Sequence, residues 1–258
     1  MPSLSLKPHA KINLGLIIQG KRPDGYHLLE TLLYPIYHFQ DELNLVPTQS
    51  EGCDFHIEGI ELEGDPSDNL VVKAYNALKE RVPDLPGVLI HLKKHIPAGA
   101  GLGGGSSDAA FTLKGLRKLF DLNIEDSVLE EIAAGLGADV PFFLYDKPLF
   151  AEGIGTKLSN FHLELPYRIE LITPGIHSST IAAYKGLDIR KLKPGRQLRP
   201  ALAGPVKLWK EYLDNDLESV VFDMHPEIRE IKEDLYRQGA IYAAMSGSGS
   251  SVFGIFEK

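Results

Sequence analysis

Between Pro97 and Asp108 the chain reads Pro-Ala-Gly-Ala-Gly-Leu-Gly-Gly-Gly-Ser-Ser-Asp, after which Ala109, Leu113, Leu116 and Phe120 recur at helical spacing. That spacing puts one apolar stripe on a helix, so a glycine-rich loop feeds directly into an amphipathic helix. Ser106, Ser107 and Asp108 supply good helix-start chemistry. A loop ending on a helix N-terminus collects several backbone N–H groups and the positive end of the helix dipole at one point, which suits phosphate. The glycines serve this twice. Without Cβ they let an anion approach the amides, and they tolerate positive φ. The stretch lacks the Gly-Lys-Ser/Thr ending of a P-loop, and no acidic ribose partner in a βαβ unit completes a dinucleotide fingerprint. A flexible linker is the plainer alternative, but linkers do not stop at Ser-Ser-Asp and an amphipathic helix.

Upstream, Ala10, Ile12, Leu14, Leu16 and Ile18 alternate with Lys11, Asn13, Gly15 and Ile17, which predicts a half-buried strand from His9 to Gln19. Lys11 and Asn13 then stand on one face about 7 Å apart, given a rise of ~3.3 Å per residue. Arg22-Pro23-Asp24-Gly25 has turn chemistry and carries Tyr26-His27 at its exit. Further strands are expected at 31–36, 42–46, 54–57, 88–96, 148–152, 167–173, 240–245 and 251–256, the last two joined by Ser246-Gly247-Ser248-Gly249-Ser250. Helices are expected at 67–81, 125–135, 180–186, 206–212 and 227–238. In Gly137-Ala138-Asp139-Val140-Pro141-Phe142-Phe143 the proline discourages helix, and 191–205, basic and proline-bearing, reads as a loop. No fixed-period repeat or low-complexity tract interrupts this order.

Taken singly, most of these residues have ordinary readings. Lys11 and Asn13 suit a solvated strand face, Asp139 a turn or helix cap, and Ser246 to Ser250 a flexible turn. A carboxylate buried among Val140, Phe142 and Phe143 would need a cation or metal, and Lys11 is the candidate partner for Asp139. Tyr26 and His27 either decorate a hairpin or offer an aromatic beside a donor and acceptor ring, as a flat heterocycle requires.

Taken together, Ala10-Lys11-Ile12-Asn13-Leu14, Arg22-Pro23-Asp24-Gly25-Tyr26-His27, Pro97 to Ala110, Gly137 to Phe143, Ala151-Glu152-Gly153-Ile154-Gly155 and Met245 to Ser250 resemble, in this order, the motifs of the GHMP kinases. Within them the chain looks like the branch whose acceptor carries a cytidylyl group. The resemblance implies an α+β fold of two lobes with the active site between them. Residues 1–158 would form an ATP-binding lobe of the ribosomal protein S5 domain 2-like type. Residues 159–258 would form a ferredoxin-like substrate lobe whose last strand is free to return to the first. It further implies that Lys11 and Asp139 are catalytic. Asp139 would take a proton from the acceptor hydroxyl, and Lys11 would orient that carboxylate and stabilise developing charge. Asn69 together with Pro97, Ala98, Gly99, Ala100, Gly101, Leu102, Gly103, Gly104, Gly105, Ser106 and Ser107 would surround ATP, with Mg²⁺ bridging its phosphates. Asn13 would hold the acceptor's hydroxyls, Tyr26, His27 and Tyr184 its cytosine, and Thr180 its sugar chain. Ala98 stands where Met or Gly is usual, and 159–238 is shorter than in the family and matches it poorly.

Two alternatives follow from the same residues. Another kinase of this family, acting on homoserine, mevalonate or a sugar, would have no use for Tyr26-His27. A noncatalytic nucleotide-dependent sensor would have no use for both Lys11 and Asp139. With 258 residues, 43% hydrophobic and 24% charged, the chain has an ordinary globular composition and length for one large domain or two. A formal net charge of -8 argues against nucleic acid as a partner, so an anionic ligand must be held locally. Cys53 is the only cysteine, which forbids an internal disulfide and suits a reducing compartment. Met1 to Lys7 lacks a signal-peptide pattern and no apolar run approaches the ~20 residues of a membrane span, so a cytoplasmic protein is expected.

Overall fold

The alternating residues after His9 form β2 (His9–Lys21), and the Arg22 to Gly25 turn returns the chain along β3 (His27–Gln40). At the turn Gly25 takes φ of +93° and donates to the Arg22 carbonyl at 3.0 Å. In this computed structural model, which describes residues 3–61, 65–193 and 195–258, β2 and β3 are joined by β7 (Leu149–Gly153) and β8 (Lys157–Asn160) in the order β2-β3-β7-β8. Leu29 lies opposite Gly153 and Leu33 opposite Leu149, antiparallel. A second sheet has the order β1-β4-β6-β5, from β1 (Leu4–Leu6), β4 (Glu42–Pro47), β6 (Val88–Lys94) and β5 (Cys53–Gly59). Only its β5/β6 pair is parallel. A third sheet places β11 (Val252–Phe256) between β10 (Tyr242–Met245) and β9 (Arg168–Ile172), all antiparallel.

The chain divides into two compact units that are discontinuous in sequence. Unit 1 comprises Met1–Ala10, Pro35–Ala98 and Gly103–Asp146; unit 2 comprises Lys11–Tyr34, Gly99–Leu102 and Lys147–Lys258. In unit 1, α1 (Leu70–Arg81), α2 (Gly104–Leu119) and α3 (Asp126–Leu136) pack on one another. Against the β1-β4-β6-β5 sheet α2 approaches so closely that a Cβ on Gly115 would lie 2.5 Å from Leu45 and 2.6 Å from Leu6. In unit 2, Leu16, Ile18, Leu217, Val221, Ile228, Ala243, Met245 and Val252 share one apolar core. Burial is worth about 1.5–3 kcal/mol for each such large side chain.

Four expectations change. β2 is buried on both faces from His9 to Ile18 rather than on one. α2 begins at Gly104, after Gly103 in a left-handed conformation (φ +70°), so Ser106 to Asp108 do not start it. Ser107 and Asp108 are buried inside the helix instead. The segment 191–205 holds α5 (Leu198–Ala203), driven by burial of Leu198 and Leu202; Pro194 within it lies outside the described residues. Pro141 opens a short 3₁₀ turn, Pro141–Leu144, because proline is tolerated in a first turn. β1 and β8, short and without a strong pattern, carried no sequence signal.

Asp41, Lys94 and Asp108 form a buried ion cluster in unit 1. Lys94 Nζ reaches Asp41 at 2.5 Å and Asp108 at 2.6 Å, and all three side chains are at most 3% exposed. Asp41 also accepts the backbone N–H of His95 at 2.5 Å and of Ile96 at 2.9 Å, fixing the end of β6 just before the glycine loop. Burial pushes the Asp108 carboxyl up to about 7 against the pull of Lys94, with the charge of Asp41 adding to the rise. One ammonium thus serves two carboxylates at the entrance and exit of the loop. Replacing Lys94→Met strands both acids and is expected to cost about 3–5 kcal/mol, read from the urea midpoint; a loss under 1 kcal/mol would rule out this role.

Candidate active site

Lys11 and Asn13 project from β2 into the interior of unit 2, 4% and 5% exposed. A charge so placed must be hydrogen-bonded. The Lys11 ammonium donates to Asn13 Oδ1 at 2.7 Å and to the Gly101 carbonyl at 3.0 Å, while the Lys11 backbone N–H donates to the Leu102 carbonyl at 2.9 Å. Asn13 Nδ2 in turn donates to Thr31 Oγ1 at 3.0 Å, and Thr31 donates to the Gly15 carbonyl at 2.6 Å. Both residues therefore leave the solvated face that each suggested alone. Thr31 was missed in sequence, although a polar residue between Leu29 and Leu33 on the inner face of β3 was its signal.

Ser246 to Ser250 is an ordered loop, not a flexible one. Ser246 is fully buried and Ser250 nearly so. The Ser246 hydroxyl accepts the Asn13 N–H at 3.2 Å and donates to the Gly101 carbonyl at 2.9 Å. Glycine is required on both sides of this contact. Gly101 has φ of +76°, and a Cβ there would fall 2.0 Å from the Ser246 carbonyl oxygen; Gly247 has φ of +57° and faces Asn13 Oδ1 and Lys11 Nζ. Ser251 N–H donates to the Ala100 carbonyl at 3.1 Å. Thr180, the first residue of α4 (Thr180–Gly186), shares a hydrogen bond of 2.7 Å with the Ser248 hydroxyl, and Ser178 donates to the Ser248 carbonyl at 2.6 Å. The first part of the glycine loop, the serine-glycine loop, Lys11, Asn13 and Thr180 thus come together within unit 2.

His27 pairs with Tyr184, their ring centroids 5.2 Å apart and tilted by 31°. Tyr26 presents its ring outward, 62% exposed, whereas His27 is 8% exposed. Burial, with Lys21 adding to it, holds the His27 ring below its ordinary pKa of 6.5. At neutral pH it is uncharged, with one nitrogen donating and one accepting.

The remaining predicted residues belong to unit 1. Asn69 caps α1, its Oδ1 accepting the Val71 N–H at 2.9 Å. Gly104 packs on Ile96, where a Cβ would come within 2.8 Å. The first amides of α2, after Gly103, have no intrahelical acceptor. Ser106 is half-buried, and the buried Ser107 hydroxyl has no hydrogen-bond partner among the described residues. Pro97 is half-buried and Ala98 exposed. Asp139 stands between α3 and the Pro141 turn, half-buried while Val140, Phe142 and Phe143 are fully buried, so the fully buried carboxylate considered above does not arise. No group of three or more His, Cys, Asp or Glu able to hold a metal occurs among the described residues. None of the helices described is long and apolar enough to cross a membrane.

Residues 69–147 match the GHMP kinases N terminal domain and residues 198–258 the GHMP kinases C terminal model. The chain is 51% identical over 253 residues to the 4-diphosphocytidyl-2-C-methyl-D-erythritol kinase of Bacteroides thetaiotaomicron, covering 97% of this chain and 91% of the relative. It is 47% identical to the same-named kinase of Prosthecochloris aestuarii, covering 100% and 90%. A crystal structure of 4-(cytidine 5'-diphospho)-2C-methyl-D-erythritol kinase superposes with a TM-score of 0.84 at 34% identity, over 98% of this chain and 90% of that one. Homoserine kinase from Cytophaga hutchinsonii, at 19% identity and a TM-score of 0.73 over 99% and 85%, shares the fold. An NMR titration of His27 is expected to give a protonation midpoint below 6.5; a midpoint above 6.5 would mean that burial does not govern the ring.

Proposed function

The chain belongs to the GHMP kinases, and from that premise we propose that it transfers the γ-phosphoryl group of ATP to the 2-hydroxyl of 4-diphosphocytidyl-2-C-methyl-D-erythritol in non-mevalonate isoprenoid synthesis. The observation that carries this reading is the buried Lys11 ammonium, held between Asn13 and the glycine-loop carbonyl of Gly101. Packing alone gives a cation no reason to be there, whereas a fixed positive charge beside a phosphate-binding loop is what phosphoryl transfer uses.

Each residue then has a task. Asp139 takes the proton of the acceptor hydroxyl, and Lys11 stabilises the charge that develops on the transferred group. Asn13, already oriented by Thr31, hydrogen-bonds the acceptor's hydroxyls, and Thr180 its sugar chain. His27, Tyr184 and Tyr26 recognise the cytosine, His27 through the base edge and the two tyrosines by stacking. The α2 amides, Asn69 and residues 97–107 hold ATP. Residues 1–158 serve as the ATP-binding lobe and 159–258 as the substrate lobe. Mg²⁺ binds chiefly through phosphate oxygens and water, with few protein ligands, so it would enter with the nucleotide. When bound, it would neutralise phosphate charge. The net charge of -8 and the single cysteine support a cytoplasmic reaction with no nucleic-acid partner.

Purified protein with ATP and Mg²⁺ should release ADP with the cytidylyl acceptor and not with homoserine, mevalonate or galactose. Asp139→Asn should bind ATP and lose turnover by about 10²–10⁴-fold; near-parental turnover would remove Asp139 from the role of base. His27→Ala should raise KM for the cytidylyl acceptor far more than KM for ATP, and equal rises would make His27 structural.

A further inference from the structure

The segment Asp214 to Glu218, leading into α7 (Glu218–Met224), holds both halves of the Lys11 site. On one side it grips β2. Leu16 N–H donates to the Asp214 carbonyl and Asp216 N–H to the Leu16 carbonyl, each at 2.9 Å, and Ile18 N–H donates to the Asp216 carboxylate at 2.7 Å. On the other side it grips the serine-glycine loop. Asn215 Nδ2 donates to the Met245 carbonyl at 2.9 Å and to the Gly247 carbonyl at 2.8 Å, and Glu218 accepts the Met245 N–H at 2.8 Å.

The segment's own groups are locked in place. Asn215 Oδ1 accepts the Leu217 N–H at 3.0 Å. Arg196 holds Asp216 at 2.7 Å, and Lys232 holds Glu218 at 2.6 Å. Asn215, Asp216 and Glu218 are at most 9% exposed. The two carbonyls to which Asn215 donates flank Ser246, whose hydroxyl accepts the Asn13 N–H. One buried amide therefore sets the register of Ser246 and Gly247 against the strand that carries Lys11 and Asn13.

We infer that Asn215 is a positioning residue of the active site, acting through the Met245 and Gly247 carbonyls on the Lys11, Asn13 and Ser246 cluster. This rests on the kinase reading above. A displacement of about 1 Å at a reacting centre can cost 10²-fold in rate, so the amide's effect on the site is read in the kcat of the folded protein.

Asn215→Asp keeps the shape and the bond from Leu217 but turns two attractive contacts into repulsions between oxygens. At pH 8 its kcat should fall about 10²-fold, with KM for ATP and acceptor within about threefold of the parent and the circular dichroism spectrum unchanged. A carboxyl buried here against two carbonyl oxygens titrates well above the ordinary Asp value of about 3.9. As pH is lowered toward 5.5 it therefore gains a proton and can donate to one carbonyl, so kcat relative to the parent should recover. Asn215→Ala, which cannot titrate, should lose kcat without recovery, and it carries the test if the first variant does not fold. Parental kcat in folded Asn215→Ala would overturn the inference, as would a pH-independent loss in Asn215→Asp.

If the parent itself fails to phosphorylate the acceptor, the kinase reading falls, and amide hydrogen exchange decides the inference alone. The Ser246 and Gly249 amides, bonded to Ser251 and Ser246 carbonyls, should exchange at least about tenfold faster in Asn215→Ala. Unchanged protection would overturn the bracing.

Discussion

The carbonyl oxygen of Gly101 receives two hydrogen bonds, from the Lys11 ammonium and the Ser246 hydroxyl, and the arrangement of unit 2 follows from it. A carbonyl aimed this way needs a left-handed backbone and leaves no room for a side chain, because the Ser246 carbonyl sits where a Cβ would be. The glycine loop, β2 and the serine-glycine loop thus meet at one peptide group. None of the three can shift without exposing an unpaired donor in a buried setting, which costs about 1–3 kcal/mol for each group left unsatisfied.

The same economy recurs in the molecule's other buried polar groups. Asp41, Lys94 and Asp108 tie the entrance of the glycine loop to the helix that follows it. Asp216 and Glu218, each neutralised by a cation from another element, receive backbone N–H groups of β2 and β10. Buried ions contribute little net stability compared with apolar packing, but a half-broken cluster is expensive. Each cluster therefore opposes displacement of the segments it joins.

Much of this was legible in advance where periodicity or turn chemistry acts locally. β2, α4, α8 (Pro226–Arg237) and the β10/β11 hairpin lie within two residues of expectation. The misreadings share a cause. Ser106 to Asp108 looked like a helix start because Ser and Asp cap well in isolation, but Gly103 opens the helix and Asp108 is drawn inside by Lys94. α5 was hidden by the prolines and basic residues around Leu198 and Leu202, whose burial decides it. Lys11 and Asn13 looked solvated because nothing near them in sequence announces Ser246 or Gly101.

By itself the sequence determined the strongly patterned elements, the glycines that the loops require and the family. These depend on backbone conformation and on short patterns that survive without neighbours. Tertiary structure alone decided that Lys11 is buried and satisfied, that His27 pairs with Tyr184 rather than with the adjacent Tyr26, and that Asn215 reaches the loop at Met245 and Gly247. Each is a contact between segments far apart in the chain. Its energy depends on desolvation and on hydrogen-bond geometry within the folded unit, and neither exists until the strands and loops have been brought together.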